Sequence, residues 1–165
     1  MRNWSRLQIA SVVVWAACTL LKLGSLVFNI HVIGRTAQDT GAYYGAGYAL
    51  NHGISPYDTT AWRMLLPDIE SERYVYPPFW AVLWRLPALL DFATVRWLVV
   101  ALNITALIAS VYFLARLCGL SRWQLAVVLV SALASVPVFG TFFLGQVSIL
   151  LLCLLVCALV LARQY

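Results

Sequence analysis

Charged side chains are scarce in this sequence of 165 residues. They make up 10% of the chain and only six of them are acidic, whereas 63% of the residues are hydrophobic. A soluble domain of this length could not cover its surface with so few polar groups. We therefore expect an all-α integral membrane protein that forms a single membrane domain over residues 1–165.

The sequence also lacks clustered cysteines and a basic patch. Cys153 and Cys157 are four residues apart inside an apolar segment, which is not a redox C-x-x-C spacing, and we interpret all four cysteines as buried reduced thiols. Asp68, Glu70 and Glu72 loosely resemble a metal site, but this spacing on a polar linker is more typical of a solvated loop. We predict no metal site. The net charge of +5 comes from scattered basic residues, which argues against nucleic-acid binding.

Long apolar runs are what the sequence does contain. A helix needs about 20 apolar residues to cross a bilayer. We predict about four transmembrane helices, at about 7–28, 95–116, 122–139 and 147–163. No charged residue occurs from Trp123 to Ala162, which is too long for one crossing, and Pro137, Gly140 and "LGQVS" mark its division. The first run has no small-residue cleavage site after it, so we expect it to stay as an anchor.

The segment "YPPFWAVLWRLPALLD" at 76–91 is apolar but contains Arg85 near its middle and three prolines. Arginine at mid-bilayer costs about 2.5–3.5 kcal/mol on the insertion scale. If this segment does not cross, the basic residues near the N-terminus, at 116–122 and at Arg163 share one side, as the positive-inside rule expects. We therefore predict an interfacial or re-entrant helix in a multi-pass protein of the cell membrane, with a cytoplasmic N-terminus.

The region at about 34–92 is then an exterior loop with two helices on the membrane surface, joined by a polar linker. Asp39 is predicted to be the N-cap of the first helix, which ends at Gly53. Small residues such as Gly45 would let another group approach the backbone of this helix. Trp80 and Trp84 are predicted to anchor the second helix at headgroup level.

Several motifs in this order resemble a known family. An acid in the first exterior loop, "YYGAGYALNHGISPYD", "YVYPPFWAVL" and "LGQVSILLL" together resemble the N-terminal portion of glycosyltransferase family 87, and the similarity extends from the first helix to the fourth. That family contains polyprenyl-phosphate-mannose-dependent α-1,2-mannosyltransferases of the multi-span GT-C class. The resemblance implies a GT-C-like module that transfers a hexose, mannose above all, from a polyprenyl-phosphate sugar to a glycan or glycolipid acceptor on the exterior face. It implies no cofactor, because the lipid-linked sugar phosphate is itself the donor substrate.

The resemblance also implies an essential acid in the first exterior loop, and by position this is Asp39. Its carboxylate would act as the catalytic base that takes the proton of the acceptor hydroxyl. The alternative is that Asp39 serves only as a helix cap. Asp58, the second acid of this loop, most simply starts a turn.

Six further residues are predicted to bind substrate. The tyrosines of the first surface helix can stack on or hydrogen-bond a sugar, although an interfacial aromatic belt explains them equally well. The "YPP" tyrosine fixes the entry into the second helix, the arginine before it can reach a lipid phosphate, and the glutamine of "LGQVS" can bind phosphate or hydroxyl groups. These residues are Tyr43, Tyr44, Tyr48, Arg73, Tyr76 and Gln146.

Members of the family are usually much longer and contain many more spans. We therefore expect this chain to be a truncated reading frame or one part of a split enzyme, with a second chain supplying further spans. In either case we expect it to keep the catalytic loop and to be inactive alone. The alternative class is a small non-enzymatic membrane protein, an accessory or assembly subunit whose exterior loop binds a partner.

Overall fold

The computed structural model of the chain describes residues 6–28, 37–69, 71 and 73–163, and regular structure in these segments is entirely helical. A single 3₁₀ turn, Pro87–Leu89, precedes the longest helix. The α-helices are α1 Arg6–Phe28, α2 Gln38–Asn51, α3 Thr59–Leu65, α4 Pro78–Trp84, α5 Phe92–Leu117, α6 Arg122–Leu133, α7 Val136–Leu144 and α8 Ser148–Ala162. The all-α prediction is confirmed.

One helix of the described chain, α5, is long and apolar enough to cross a membrane by itself, since it has 26 residues and contains an 18-residue window with a mean hydropathy of 2.2. The helices α6 and α7 meet the same standard only as a pair, and they are bent by 54° at the break between them. The apolar stretch Val12–Lys22 of α1 and the helix α8 are shorter. The structure therefore contains one or two candidate spans, and the prediction of four is confirmed only in part.

The predicted span at 122–139 does not coincide with a single helix. The helix stops at Leu133, and a new helix starts after Ser135 with Pro137 in its first turn. Proline has no backbone N–H and its ring clashes with the carbonyl four residues earlier, so it is accepted at a helix start but not inside a helix. The second helix then continues to Gly145, whose φ of 71° ends it in a left-handed conformation.

Two apolar clusters organise the described residues. In the first, α5 packs against α8, and the buried members of the cluster are Ala106, Leu107, Val111, Phe142 and Ile149. The second surrounds α2 and contains Tyr43, Tyr44, Trp84 and Val95. The long helix α5 contributes to both clusters, so it connects the loop region to the apolar helices.

The helix α2 is enclosed by other parts of the protein. Every residue from Thr40 to Gly47 is buried, and the helix contacts α3, α4, α5 and α7. A Cβ at Gly45 would come within 2.5 Å of the Trp62 ring, and one at Gly47 would overlap the Trp84 carbonyl. The group that approaches these glycines closely is therefore the chain itself.

The linker between the two predicted surface helices contains a further helix, α3, which the sequence reading missed. The Asp58 carboxylate accepts a hydrogen bond from the backbone N–H of Ala61 at 3.0 Å and caps this helix, in agreement with its predicted role in starting a turn. The indole of Trp62 in α3 is fully buried, and its burial fixes α3 against α2. The side chain of Asp68 is exposed, whereas Glu70 and Glu72 lie outside the described residues.

Other local predictions have mixed outcomes. The end of the first loop helix is confirmed, because Gly53 has a φ of 72° just after α2. The prediction that Trp84 anchors its helix at headgroup level is wrong. Its side chain is only 7% exposed and packs against Tyr43, because α4 faces inward onto α2. Cys18 and Cys118 are exposed and not buried as predicted.

Candidate functional site

Asp39 lies in the first turn of α2. The N-cap of this helix is Ala37, which makes no side-chain capping bond, so the prediction that Asp39 is the N-cap is wrong. The helix begins one residue before Asp39, and its first backbone bond runs from the Gly41 N–H to the Ala37 carbonyl at 2.9 Å. The half-buried Asp39 carboxylate thus belongs to the first turn, where a negative charge interacts favourably with the helix dipole.

The turn formed by residues 145–147 lies directly against this end of α2. The Thr40 hydroxyl, fully buried, donates to the Gly145 carbonyl at 2.8 Å. From the other side, the amide of Asn103 in α5 donates to the Gln146 carbonyl at 3.0 Å. Two side chains from two helices therefore hold the 145–147 turn, and they bring Gln146 to the end of α2 that carries Asp39.

Tyr43 is packed inside an aromatic cluster next to the end of α2 that carries Asp39. It is 2% exposed, and its ring lies 4.8 Å from that of Tyr76 and 5.1 Å from that of Trp84, measured between centroids. Burial is the main cause that raises the pKa of Tyr43, followed by its side-chain hydrogen bond to Tyr76, and the charge of Asp39 adds to the effect. The phenol of Tyr43 therefore remains protonated.

The other tyrosines differ in accessibility. Tyr44 is buried and its hydroxyl donates to the Leu90 carbonyl at 2.8 Å, with burial raising its pKa. Tyr48 is partly exposed and stacks on His52 with 4.1 Å between ring centroids. Tyr76 is also partly exposed. Protein covers the rings of Tyr43 and Tyr44, whereas Tyr48 and Tyr76 keep surface that a ligand can reach.

Among the basic residues of the loop, Arg73 is exposed and lines a cavity of about 370 Å³ together with Arg63 and other residues of α3. The residues that line this cavity do not include Asp39 or Gln146. Arg85 is engaged elsewhere: its Nε donates to the side-chain oxygen of Asn51 at 2.9 Å. The cavity thus places Arg73 beside Arg63 of α3.

Sequence reasoning missed Thr40 and Asn103. Asn103 carried a usable signal, because it is an isolated amide within the apolar run of α5 and polar groups inside a span usually serve packing or function. Thr40 carried none, since a threonine after an acid is common in a first helical turn. In the described part of the chain, no group of three His, Cys, Asp or Glu side chains could hold a metal ion.

Comparison with known protein families finds one match to report. The family model described as Glycosyltransferase family 87 matches residues 74–165, which is more than half of the chain. The matched region contains Tyr76, Asn103 and Gln146 but begins after Asp39. No curated protein and no solved structure matches the chain.

Proposed function

We propose that this chain, which belongs to glycosyltransferase family 87, takes part in the transfer of a hexose, mannose above all, from a polyprenyl-phosphate donor. The acceptor would be a glycan or glycolipid on the exterior face of the cell membrane. The family match over residues 74–165 carries this proposal. The end of α2 that carries Asp39 adjoins the 145–147 turn that carries Gln146, and this edge supports the proposal because an acid and an amide lie on adjoining elements there.

In the proposed reaction, Asp39 acts as the general base. Its carboxylate takes the proton from the acceptor hydroxyl while the hydroxyl oxygen forms a bond to the anomeric carbon. The bond from that carbon to the phosphate oxygen breaks, and polyprenyl phosphate leaves. Asp39 is partly exposed at the end of α2 that meets the 145–147 turn, so an acceptor can approach it there.

The proposed substrate contacts divide into two groups by their exposure. Tyr48, Tyr76 and Gln146 are partly exposed and can meet the sugar or the phosphate directly. Tyr43 and Tyr44, which we also expected to touch substrate, lie behind Tyr76 and Tyr48 and would hold those two rings in place.

Arg73 offers a charged group of a different kind. In its cavity beside α3 the guanidinium is exposed and can form charge-assisted hydrogen bonds with a phosphate. We propose the donor phosphate as its ligand, which would require the donor to extend from the Asp39 edge toward α3.

A lipid-borne donor is supported by an apolar cavity of about 320 Å³ between the loop helices and the candidate span α5. Its walls come from α4, the 3₁₀ turn, α5 and α8, and include Trp84, Leu98 and Leu150. A hydrocarbon chain would find apolar contacts there, whereas a nucleotide would leave its polar groups unpaired.

The proposal is best tested by donor binding, because binding does not depend on whether a second chain is needed for turnover. The purified chain in lipid nanodiscs would be irradiated with a polyprenyl-phosphate mannose carrying a photoreactive group on the sugar. We expect labelling that excess unlabelled donor suppresses and that a nucleotide sugar does not. Labelling that no donor competes away would contradict the proposal and favour the accessory-subunit alternative.

The role of Asp39 needs a preparation in which transfer occurs, either this chain or this chain with the partner that completes it. Asp39→Asn keeps the shape and removes the base, so we expect unchanged donor labelling and a transfer rate lowered about 10²- to 10⁴-fold. Asp68→Asn, at an exposed acid of the linker, is the matched control and should keep full activity. Equal rates for the two variants would exclude Asp39 as the base.

A further inference from the structure

We infer that Thr40 and Asn103 are positioning residues that join the first turn of α2 and the 145–147 turn into one substrate-binding edge. The inference rests on the proposed function for the nature of the substrate. It adds that neither Asp39 nor Gln146 acts from its own element alone, because one buried and one partly buried hydrogen bond set the separation of the two elements.

Thr40 makes the first of these bonds. Its side chain is fully buried, and its hydroxyl donates to the Gly145 carbonyl at 2.8 Å instead of to a carbonyl of its own helix. A Cβ at Gly145 would lie 3.1 Å from Ala37 Cβ and 3.2 Å from Thr40 Cβ, so the turn already touches the helix. Gly145 also has a φ of 71°, which disfavours any other residue there. Contact and backbone geometry together require this glycine.

Asn103 makes the second bond and reaches the same turn from α5. Its amide nitrogen donates to the Val99 carbonyl at 3.1 Å and to the Gln146 carbonyl at 3.0 Å, and the side chain is 1% exposed. Its side-chain oxygen has no hydrogen-bond partner among the described residues. A buried unpaired acceptor costs about 1–3 kcal/mol, so packing alone gives no reason for an asparagine in this apolar helix.

Together the two bonds fix neighbouring carbonyls of one turn to two different helices. The Gly145 carbonyl is held by α2 and the Gln146 carbonyl by α5, so the backbone of Gln146 has little freedom relative to Asp39. A displacement of about 1 Å between reacting groups can lower a rate by about 10². We therefore expect loss of either bond to separate the two halves of the edge before it unfolds the chain.

The contact itself can be tested without any substrate. In a chain whose native cysteines are replaced by serine, Thr40→Cys with Gly145→Cys should form a disulfide under mild oxidation. The Cβ separation of 3.2 Å is close to the roughly 3.5–4.5 Å of a disulfide. The control pairs Thr40→Cys with Gly119→Cys, since Gly119 also has a positive φ but nothing within 4 Å of an added Cβ. Gly145→Cys alone should also unfold at a lower temperature than Gly119→Cys alone, because the side chain added at position 145 meets Ala37 and Thr40. The inference is overturned if the two single variants unfold at the same temperature and the first pair stays as reduced as the control.

The positioning role is tested by mapping where the photoreactive donor labels the chain. Wild type should be labelled both in α2 and in the 145–147 turn. Thr40→Val keeps the shape but removes the hydroxyl, and we expect about tenfold less labelling of the turn relative to α2, with recovery in Thr40→Ser. Asn103→Leu should act like Thr40→Val. Thr105→Val is the control, because Thr105 is exposed and, among the described residues, its hydroxyl bonds only to Ala101 of its own helix.

The outcomes separate the two proposals. An unchanged ratio of labelling in Thr40→Val would overturn the positioning role even if the disulfide forms. A wild-type chain with no competed labelling would overturn the proposed function, and the substrate-binding claim with it. The disulfide result decides the contact between α2 and the turn in either case.

Discussion

Replacing Gly47 by alanine should destabilise the loop helices more than replacing Gly45 by alanine does. A Cβ at Gly47 would overlap the carbonyl oxygen of Trp84 and lie 3.0 Å from the backbone nitrogen of Arg85. At Gly45 the obstacle is the ring of Trp62, a side chain that can turn. At Gly47 the obstacle is backbone, so α2 and α4 must move apart as units.

The expected size follows from two opposing effects. Overpacking in a filled site costs about 1–3 kcal/mol, and the immovable backbone places Gly47→Ala near 3 kcal/mol. Alanine recovers about 1 kcal/mol because it favours a helix interior over glycine. The net loss is about 2 kcal/mol, which corresponds to a fall of about 4–8 °C in Tm for a chain of this size.

The assay is thermal unfolding of the purified chain in detergent, followed by the fluorescence of its seven tryptophans. Gly140→Ala is the matched control, since Gly140 also lies inside a helix but nothing lies within 4 Å of an added Cβ. That variant should be as stable as wild type or up to about 1 kcal/mol more stable. If Gly47→Ala unfolds at the same temperature as Gly140→Ala, the close packing of α2 on α4 is refuted.

Three further predictions concern the loop and its side of the membrane. Asp58→Ala removes the cap bond to Ala61 and should cost about 1 kcal/mol in thermal unfolding, whereas Asp58→Asn should cost little; equal losses would argue against capping. Burial raises the pKa of Tyr74 from 10.0 to about 12, so its neutral phenol stabilises the fold below pH 10, and this contribution is lost as the pH rises through about 12. Alkaline titration of the phenolate absorbance in wild type and Tyr74→Phe checks this, and a group that titrates near 10.0 would contradict it. The third prediction uses a membrane-impermeant maleimide on intact cells that carry the chain with its other native cysteines replaced. The reagent should label a cysteine introduced by Asp68→Cys, but it should reach Cys118 only after permeabilisation. Labelling of Cys118 in intact cells would refute the predicted topology.

Local features of the loop were largely predictable. Apolar runs and turn residues predicted α5, and a glycine at 53 predicted the end of α2, since a left-handed residue after a helix is a local event. The start of α2 was placed two residues too late, because aspartate is a preferred N-cap and alanine is not, so local preference favoured Asp39 although the helix begins after Ala37. The short helix α3 was missed because its stability comes from burying Trp62 against α2 rather than from its own sequence.

The candidate site was predictable in part. The resemblance pointed to Asp39 and Gln146, and the family match over residues 74–165 supports the assignment of the chain. Exposure could not be predicted: Tyr43 and Tyr48 look alike in the sequence, yet the first is buried among aromatic rings and the second is partly open. Helical periodicity states which residues share a face, but it does not state what covers that face.

The sequence alone determined that the chain is helical and suited to a membrane. Few charges and long apolar runs require backbone groups to be paired within each segment, and a helix achieves this with neighbours in sequence. Only the tertiary structure decided that α2 is enclosed and that Thr40 and Asn103 hold the 145–147 turn beside Asp39. Those contacts join residues far apart along the chain, and their partners are chosen by the packing of whole helices, which no local pattern encodes.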